Sequence, residues 1–220
     1  MSELHHSASR ATAFIDADAP AVVDFVERHA GAGDDRARAV RLYYAIRDSI
    51  RYDMTTFGLD PAPFKASNCL AAESAFCVPK AIALAAAARA AGIPARLGFA
   101  DVRNHLVSPR MAALLDDDVF RWHAYTSIMI EGRWVKATPA FDLGLCERHG
   151  VKPLEFDGRE DSIFHPFDER GRKHMEYVRF VGEFDDFPYE DFSAAMRAGH
   201  PRMLAHLDAE RTRDKASREA

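Results

Sequence analysis

The stretch from Cys77 to Pro94 constrains this chain more than any other. Cys77-Val78-Pro79-Lys80 opens it, Ala81 to Ala91 continues it with strong helix formers, and Gly92 followed by Pro94 stops it. Such a stretch is a helix with defined ends, and Cys77 stands at or next to its N-terminus. Unpaired backbone N–H groups and the positive end of the helix dipole favour thiolate over thiol there. A depressed Cys77 pKa is therefore expected, with faster alkylation near pH 6 than at Cys69 or Cys146. The apolar run inside the helix, Ala81 to Ala88, is far shorter than the roughly 20 residues needed to cross a bilayer.

Around this helix the chain alternates helical and extended patterns. Asp18-Ala19-Pro20 followed by Val22, Val23, Phe25 and Val26 is a capped helix start that Gly31 and Gly33 end. From Asp34 to about Tyr52, Ala39, Tyr43, Ile46 and Ile50 recur at helical spacing with arginines filling the other face. Asp53 to Ser67 has Gly58, Pro61 and Pro63 and no period, so it reads as a loop. Ala95 to Val102, Trp122 to Ile130 and Arg133 to Thr138 read as strands, the last two joined by Glu131-Gly132 as an antiparallel hairpin. Beyond Pro139 the pattern weakens. A short helix is expected near Leu143 to Arg148, and helices over Phe192 to Arg197 and Met203 to about Arg211, with a frayed charged end from Arg213 to Ala220. Phe141 to Phe192 shows no regular period, and its phenylalanines are expected to pack over the core near the site.

Composition narrows the function. The 220 residues carry 29 Lys+Arg against 34 Asp+Glu, a net charge of −5, and 48% hydrophobic residues, the balance of a globular protein with a sizeable core. No basic surface favours nucleic acid or acidic membranes. Residues 1–10 show no secretion signal, so the cytoplasm is the expected compartment. Three cysteines, none in a C-x-x-C pair, indicate neither a disulfide framework nor a zinc knuckle.

A lone helix-start cysteine is more often structural than reactive, and it needs a base. Of ten histidines, His5, His6, His29, His149, His165, His174, His200 and His206 lie in polar or terminal surroundings. His105 sits in an irregular stretch. His123 begins a strand, which holds a side chain as rigidly as a general base requires. No cofactor and no metal are expected, since no Gly-x-Gly-x-x-Gly, phosphate loop or His-Glu-x-x-His occurs. The acidic run Asp157 to Asp161 lacks calcium-loop spacing and reads as a solvated turn.

Taken in order, the Cys-opened helix ending Arg89-Ala90-Ala91-Gly92-Ile93-Pro94-Ala95-Arg96, then His123-Ala124-Tyr125, then Gly132-Arg133-Trp134-Val135, resemble the transglutaminase-like superfamily of papain-type thiol enzymes. The match covers roughly Ala66 to Ala140. It implies an α+β, papain-like fold with the nucleophile helix packed on an antiparallel sheet. Residues 1–52 would form a helical lead-in, 53–142 the catalytic core, and 143–220 an extension packed on it. Cys77 would attack the carbonyl of a peptide or protein amide, His123 would take and return the proton, and the Cys77 N–H would help hold the oxyanion. Water as second nucleophile gives a protease or deamidase, the favoured reading. An amine gives a transglutaminase.

One position departs from the family pattern. Where Asp-Pro-Thr is expected, this chain has Thr138-Pro139-Ala140, so the orienting carboxylate is missing. A two-residue turn at Glu131-Gly132 sets Ile130 opposite Arg133 and His123 opposite Ala140, with Thr138 and Asp142 as diagonal neighbours. Asp142 is the expected third catalytic member if the strand continues past Pro139. Thr138 is the alternative orienter, and its presence also admits a catalytically silent scaffold.

Overall fold

Every residue from Cys77 through Arg89 is buried. An alanine-rich helix is apolar all round, so it belongs in the middle of a fold and not on its surface. In the computed structural model, which describes residues 7–105, 107, 112–115, 117–164 and 175–219, helices pack on one side of it and a sheet on the other. His5, His6, His165, His174 and part of the segment after Asp157 lie outside the described residues. In chain order the elements before the Cys77 helix are α1 (Pro20–His29), α2 (Asp35–Ser49), β1 (Arg51–Tyr52), α3 (Ala66–Leu70) and β2 (Ser74–Ala75). The Cys77 helix is α4 (Cys77–Ala90), and α1, α2 and α3 all pack against it.

The expected helix up to Tyr52 stops earlier, at Ser49. Arg51 and Tyr52 pair in parallel with Ser74 and Ala75, which pulls the chain out of the helix and runs it beside the segment leading into Cys77. Lys80 locks this junction. Its side chain is fully buried, and Nζ donates to the carbonyls of Arg47 at 2.9 Å and Ile50 at 2.5 Å. Carbonyls at the end of a helix have no partner within it, and here a lysine from α4 supplies one. Burial pulls the Lys80 pKa down to about 8, against the attraction of Asp142.

The sheet comprises β3 (Ala95–Asn104), β4 (Val119–Ile130), β5 (Arg133–Ala137) and β6 (Met175–Phe184), in the order β5-β4-β3-β6 and antiparallel throughout. The architecture is α+β, as expected. Glu131 and Gly132 both have positive φ, 51° and 79°, the pair a type I′ hairpin turn uses. Ile130 faces Arg133 and the ladder runs to Thr126 opposite Ala137. Strand β5 then ends. Thr138 N–H goes to Ser162 O at 3.0 Å, and Ser162 N–H to Lys136 O at 2.7 Å, so a later segment replaces the ladder that would have reached His123. On the helix side of the sheet the Thr126 hydroxyl donates to Ala81 O at 2.8 Å, a contact that alanine's small side chain leaves room for.

Strand β6 lies within Phe141 to Phe192, where the sequence shows no regular period. Its pairing with β3 shifts register twice, between Phe99 and Ala100 and between Asp101 and Val102. Such bulges break the alternation by which a strand is read. The remaining elements are α5 (Leu143–His149), α6 (Tyr189–Gly199) and α7 (Pro201–Glu219). The last runs helical through the charged end where fraying was expected. The phenylalanines do bury their rings: Phe187 packs on Phe64 at 4.7 Å and on Phe192 at 5.1 Å between centroids. Among the described residues no helix is long and apolar enough to cross a membrane.

Replacing Lys80 by Met keeps the apolar stem and removes both hydrogen bonds to the α2 end. The expected loss is about 2 kcal/mol in urea unfolding, and a loss below about 0.5 kcal/mol would show that the two carbonyls do not depend on it.

Candidate active site

Cys77 is the first residue of α4 and His123 lies in β4, the strand packed on that helix. Both side chains line one cavity of about 430 Å³. Cys77 is 8% exposed and His123 7%. The amide of Ala124, next to His123, and those at the helix start favour the thiolate form of Cys77. Phe164 packs against the imidazole at 4.8 Å, Phe141 against Phe164 at 4.9 Å, and Tyr52 edge-on against Phe141 at 4.8 Å. These rings wall one side of the site.

The electrostatics reverse the expectation for the thiol. Burial pushes Cys77 up to about 11, and the amides of Ala124, Val78 and Cys77 only partly offset it. Burial takes His123 down to about 3. Desolvation outweighs the helix dipole because the sulfur is sunk in an apolar cavity, and the resting pair is a thiol and a neutral imidazole. Cys69 and Cys146, also buried, are pushed up to about 12 and about 11. What sets Cys77 apart is that it opens onto the cavity.

Asp142 does not take the role expected of it. Its Oδ1 accepts from Leu145 N–H at 2.9 Å, capping α5, and its Oδ2 from Tyr52 N–H at 2.7 Å. Burial would raise its pKa, but these amides outweigh that and hold the carboxyl below the usual range. The structure shows no hydrogen bond from it to His123. The reason is the end of β5 at Ala137, which leaves Asp142 at a helix start instead of on the strand beside the histidine. Thr138 does not take that role either: its carbonyl accepts from the Tyr43 hydroxyl at 3.2 Å, and its buried Oγ1 has no hydrogen-bond partner among the described residues, His123 included. Among the described residues the buried Nε2 of His123 has no hydrogen-bond partner.

The chain after Pro139 supplies much of the cavity. Phe141 and Leu145, Met175 of β6, and Phe192, Met196 and Met203 of the last two helices all line it, facing Met54, Phe57, Val102 and Phe120. Its polar lining among the described residues is Tyr52, Asn104, Arg121 and three histidines, His123, His149 and His200, beside the thiol. Local pattern could not find the methionines and phenylalanines, because their meeting depends on how the last two helices fold back. Among the described residues no cluster of His, Cys, Asp and Glu is arranged to hold a metal. The acidic run is a turn, with Asp157 accepting the amides of Arg159 and Glu160 and Asp161 bonded to Lys136.

A helix-start cysteine sharing a cavity with a strand histidine is the arrangement the sequence motif implied, and the family comparison agrees: the model of the transglutaminase-like superfamily matches residues 23–139, more than half of the chain. The chain belongs to the transglutaminase-like superfamily. The matched residues run from α1 through β5 and contain both Cys77 and His123. No curated protein matches the chain. Among solved structures it is similar to a proposed cysteine protease from Cytophaga hutchinsonii, at 15% identity and a TM-score of 0.48, over 63% of this chain. The chain spans 43% of that protein's length.

Two outcomes follow for this transglutaminase-like site. Iodoacetamide should label Cys77 ahead of Cys69 and Cys146, with a rate rising at least about a hundredfold from pH 6.5 to 9.5 as a high-pKa thiol ionises; a rate already flat between pH 5 and 7 would instead reveal a thiolate–imidazolium pair. Because His123 binds its proton more weakly folded than unfolded, the unfolded chain holds more protons between its ordinary value and about 3, and stability falls as pH drops through that window. Relative to His123→Asn, the wild type should lose on the order of 3 kcal/mol between pH 7 and 4, and equal acid sensitivity of the two proteins would refute it.

Proposed function

We propose that this chain is a thiol hydrolase of amide bonds, with Cys77 as nucleophile and His123 as the group that moves the proton. The observation that carries the reading is the shared cavity: the thiol at the start of α4 and the imidazole of β4 open onto the same apolar space. In the resting state both groups are neutral. Attack therefore begins with transfer of the thiol proton to the imidazole as sulfur bonds to the carbonyl carbon. The tetrahedral oxyanion forms beside the first amides of α4, where the Cys77 N–H and the helix dipole stabilise it. His123 then returns the proton to the leaving amine, a thioester remains, and water activated by the same imidazole releases the acid.

The lining favours an acyl group that carries an apolar side chain. Met54, Phe57, Val102, Phe120, Met196 and Met203 offer it methyl, methylene and ring surface, with few polar groups to fix its orientation. Tyr52 and Tyr177 keep their phenolic protons, burial holding Tyr52 well above the ordinary range and Tyr177 up at about 12.

A panel of blocked peptide amides differing in the residue that bears the scissile carbonyl tests this. Aromatic and branched aliphatic residues should be cleaved with release of ammonia or amine and no added primary amine, and Cys77→Ala and His123→Asn should each lower turnover at least about a thousandfold. Release that requires an added amine, recovered in the product, would make the protein a transglutaminase. Cleavage that survives Cys77→Ala would remove the thiol from the mechanism, and the absence of any turnover across the panel would leave a binding scaffold.

A further inference from the structure

His123 and Trp122 are neighbours on a strand, yet both line the same cavity. In a regular strand consecutive side chains point to opposite faces. The exception has a local cause. Ala100 pairs with His123 and Val102 with Phe120, so Arg121 and Trp122 together stand opposite Asp101, an extra residue that bulges β4. Trp122 takes a φ of +56°, a left-handed conformation that a large side chain adopts only when its surroundings impose it.

The group that meets this turn is a carboxylate. Asp101 is 7% exposed, and its Oδ1 accepts from Trp122 N–H at 3.1 Å, a buried hydrogen bond. Its Oδ2 accepts from Arg179 Nε at 3.1 Å and faces a second guanidinium nitrogen at 2.9 Å. One side chain thus ties β6, β3 and β4 together at the residue before the imidazole. The indole packs on Phe99 at 5.0 Å, which holds the other end of Trp122.

We propose that Asp101 is a positioning residue for His123: by holding the Trp122 amide in the left-handed bulge, it turns the imidazole into the Cys77 cavity. This rests on the assignment of Cys77 and His123 above. It also accounts for a site in which neither Asp142 nor Thr138 bonds to the imidazole, since the orientation a carboxylate would impose directly comes from the strand beneath the ring. Arg179, largely exposed, fixes the carboxylate and does not itself touch the turn.

Three replacements at position 101 separate this from a general structural role, with Arg179→Gln as the control for the ion pair. Asp101→Asn keeps an oxygen for Trp122 N–H, and Arg179 is free to swing into solvent. Asp101→Glu keeps the charge but carries its carboxylate one methylene beyond that amide. Asp101→Leu removes the acceptor. On the best amide of the panel, kcat should stay within about threefold of wild type for Asp101→Asn and Arg179→Gln. It should fall at least tenfold for Asp101→Glu and more for Asp101→Leu, with KM within about threefold throughout. In parallel, the ¹³C–¹H ring resonance of His123, assigned through His123→Asn, should move in Asp101→Glu and stay in Asp101→Asn. The Asn and Glu variants decide the matter if the leucine variant does not fold. Glu outperforming Asn, or an unmoved ring resonance in Asp101→Glu, would overturn the proposal, and the resonance reads it even without turnover. Failure of the hydrolase reading looks different: there Cys77→Ala and His123→Asn themselves leave turnover intact.

Discussion

The fold depends on a helix that can be approached from every side. Alanine leaves almost no side chain between the α4 backbone and its neighbours, so α1, α2 and α3 reach it from one direction and the sheet from the other. The closeness is measured by the Thr126 hydroxyl, which bonds directly to the Ala81 carbonyl. With its sides so enclosed, the helix can present chemistry only at its ends, and the N-terminal end holds Cys77. Bulkier residues along α4 would push the sheet outward and carry His123 away from the sulfur.

The same enclosure sets the electrostatics. A thiol at a helix start has favourable dipoles behind it, yet at 8% exposure it has lost most of the water that would solvate its anion. The imidazole suffers the complementary loss, being buried with no carboxylate among the described residues to offset its charge. Each group alone is held neutral, and separation of charge between them is favourable only when a polar reactant shares the cavity.

Much of this was legible in the sequence because it is written in short-range features. The Cys77 helix has a start, a propagating run and a Gly-x-Pro stop. Glu131-Gly132 demands a type I′ turn, and from that turn alone the pairing of Ile130 with Arg133 follows. Counting onward to place Asp142 beside His123 failed because nothing local says that Ser162 will take over from β5 after Ala137. The β6 strand was hidden by bulges that shift its alternation, and the thiol pKa by a burial that only the assembled cavity creates. Asp101 left a faint trace, an acid in the otherwise apolar run Leu97 to Val102. Its partners, Trp122 and Arg179, come from two other strands.

The position of β6 bears on the order in which the molecule is made. Strand β3 lies between β4 and β6, but β6 follows it only after about a third of the chain's length. During synthesis the Cys77 helix and the hairpin emerge early, while β3 keeps a bare edge until residues 175–184 arrive. Asp101 then gains its cationic neighbour, and α6 and α7 close over the cavity only after that. A chain assembled in this order carries its thiol through about half of these 220 residues before the helices that wall the cavity arrive, so the thiol precedes its pocket.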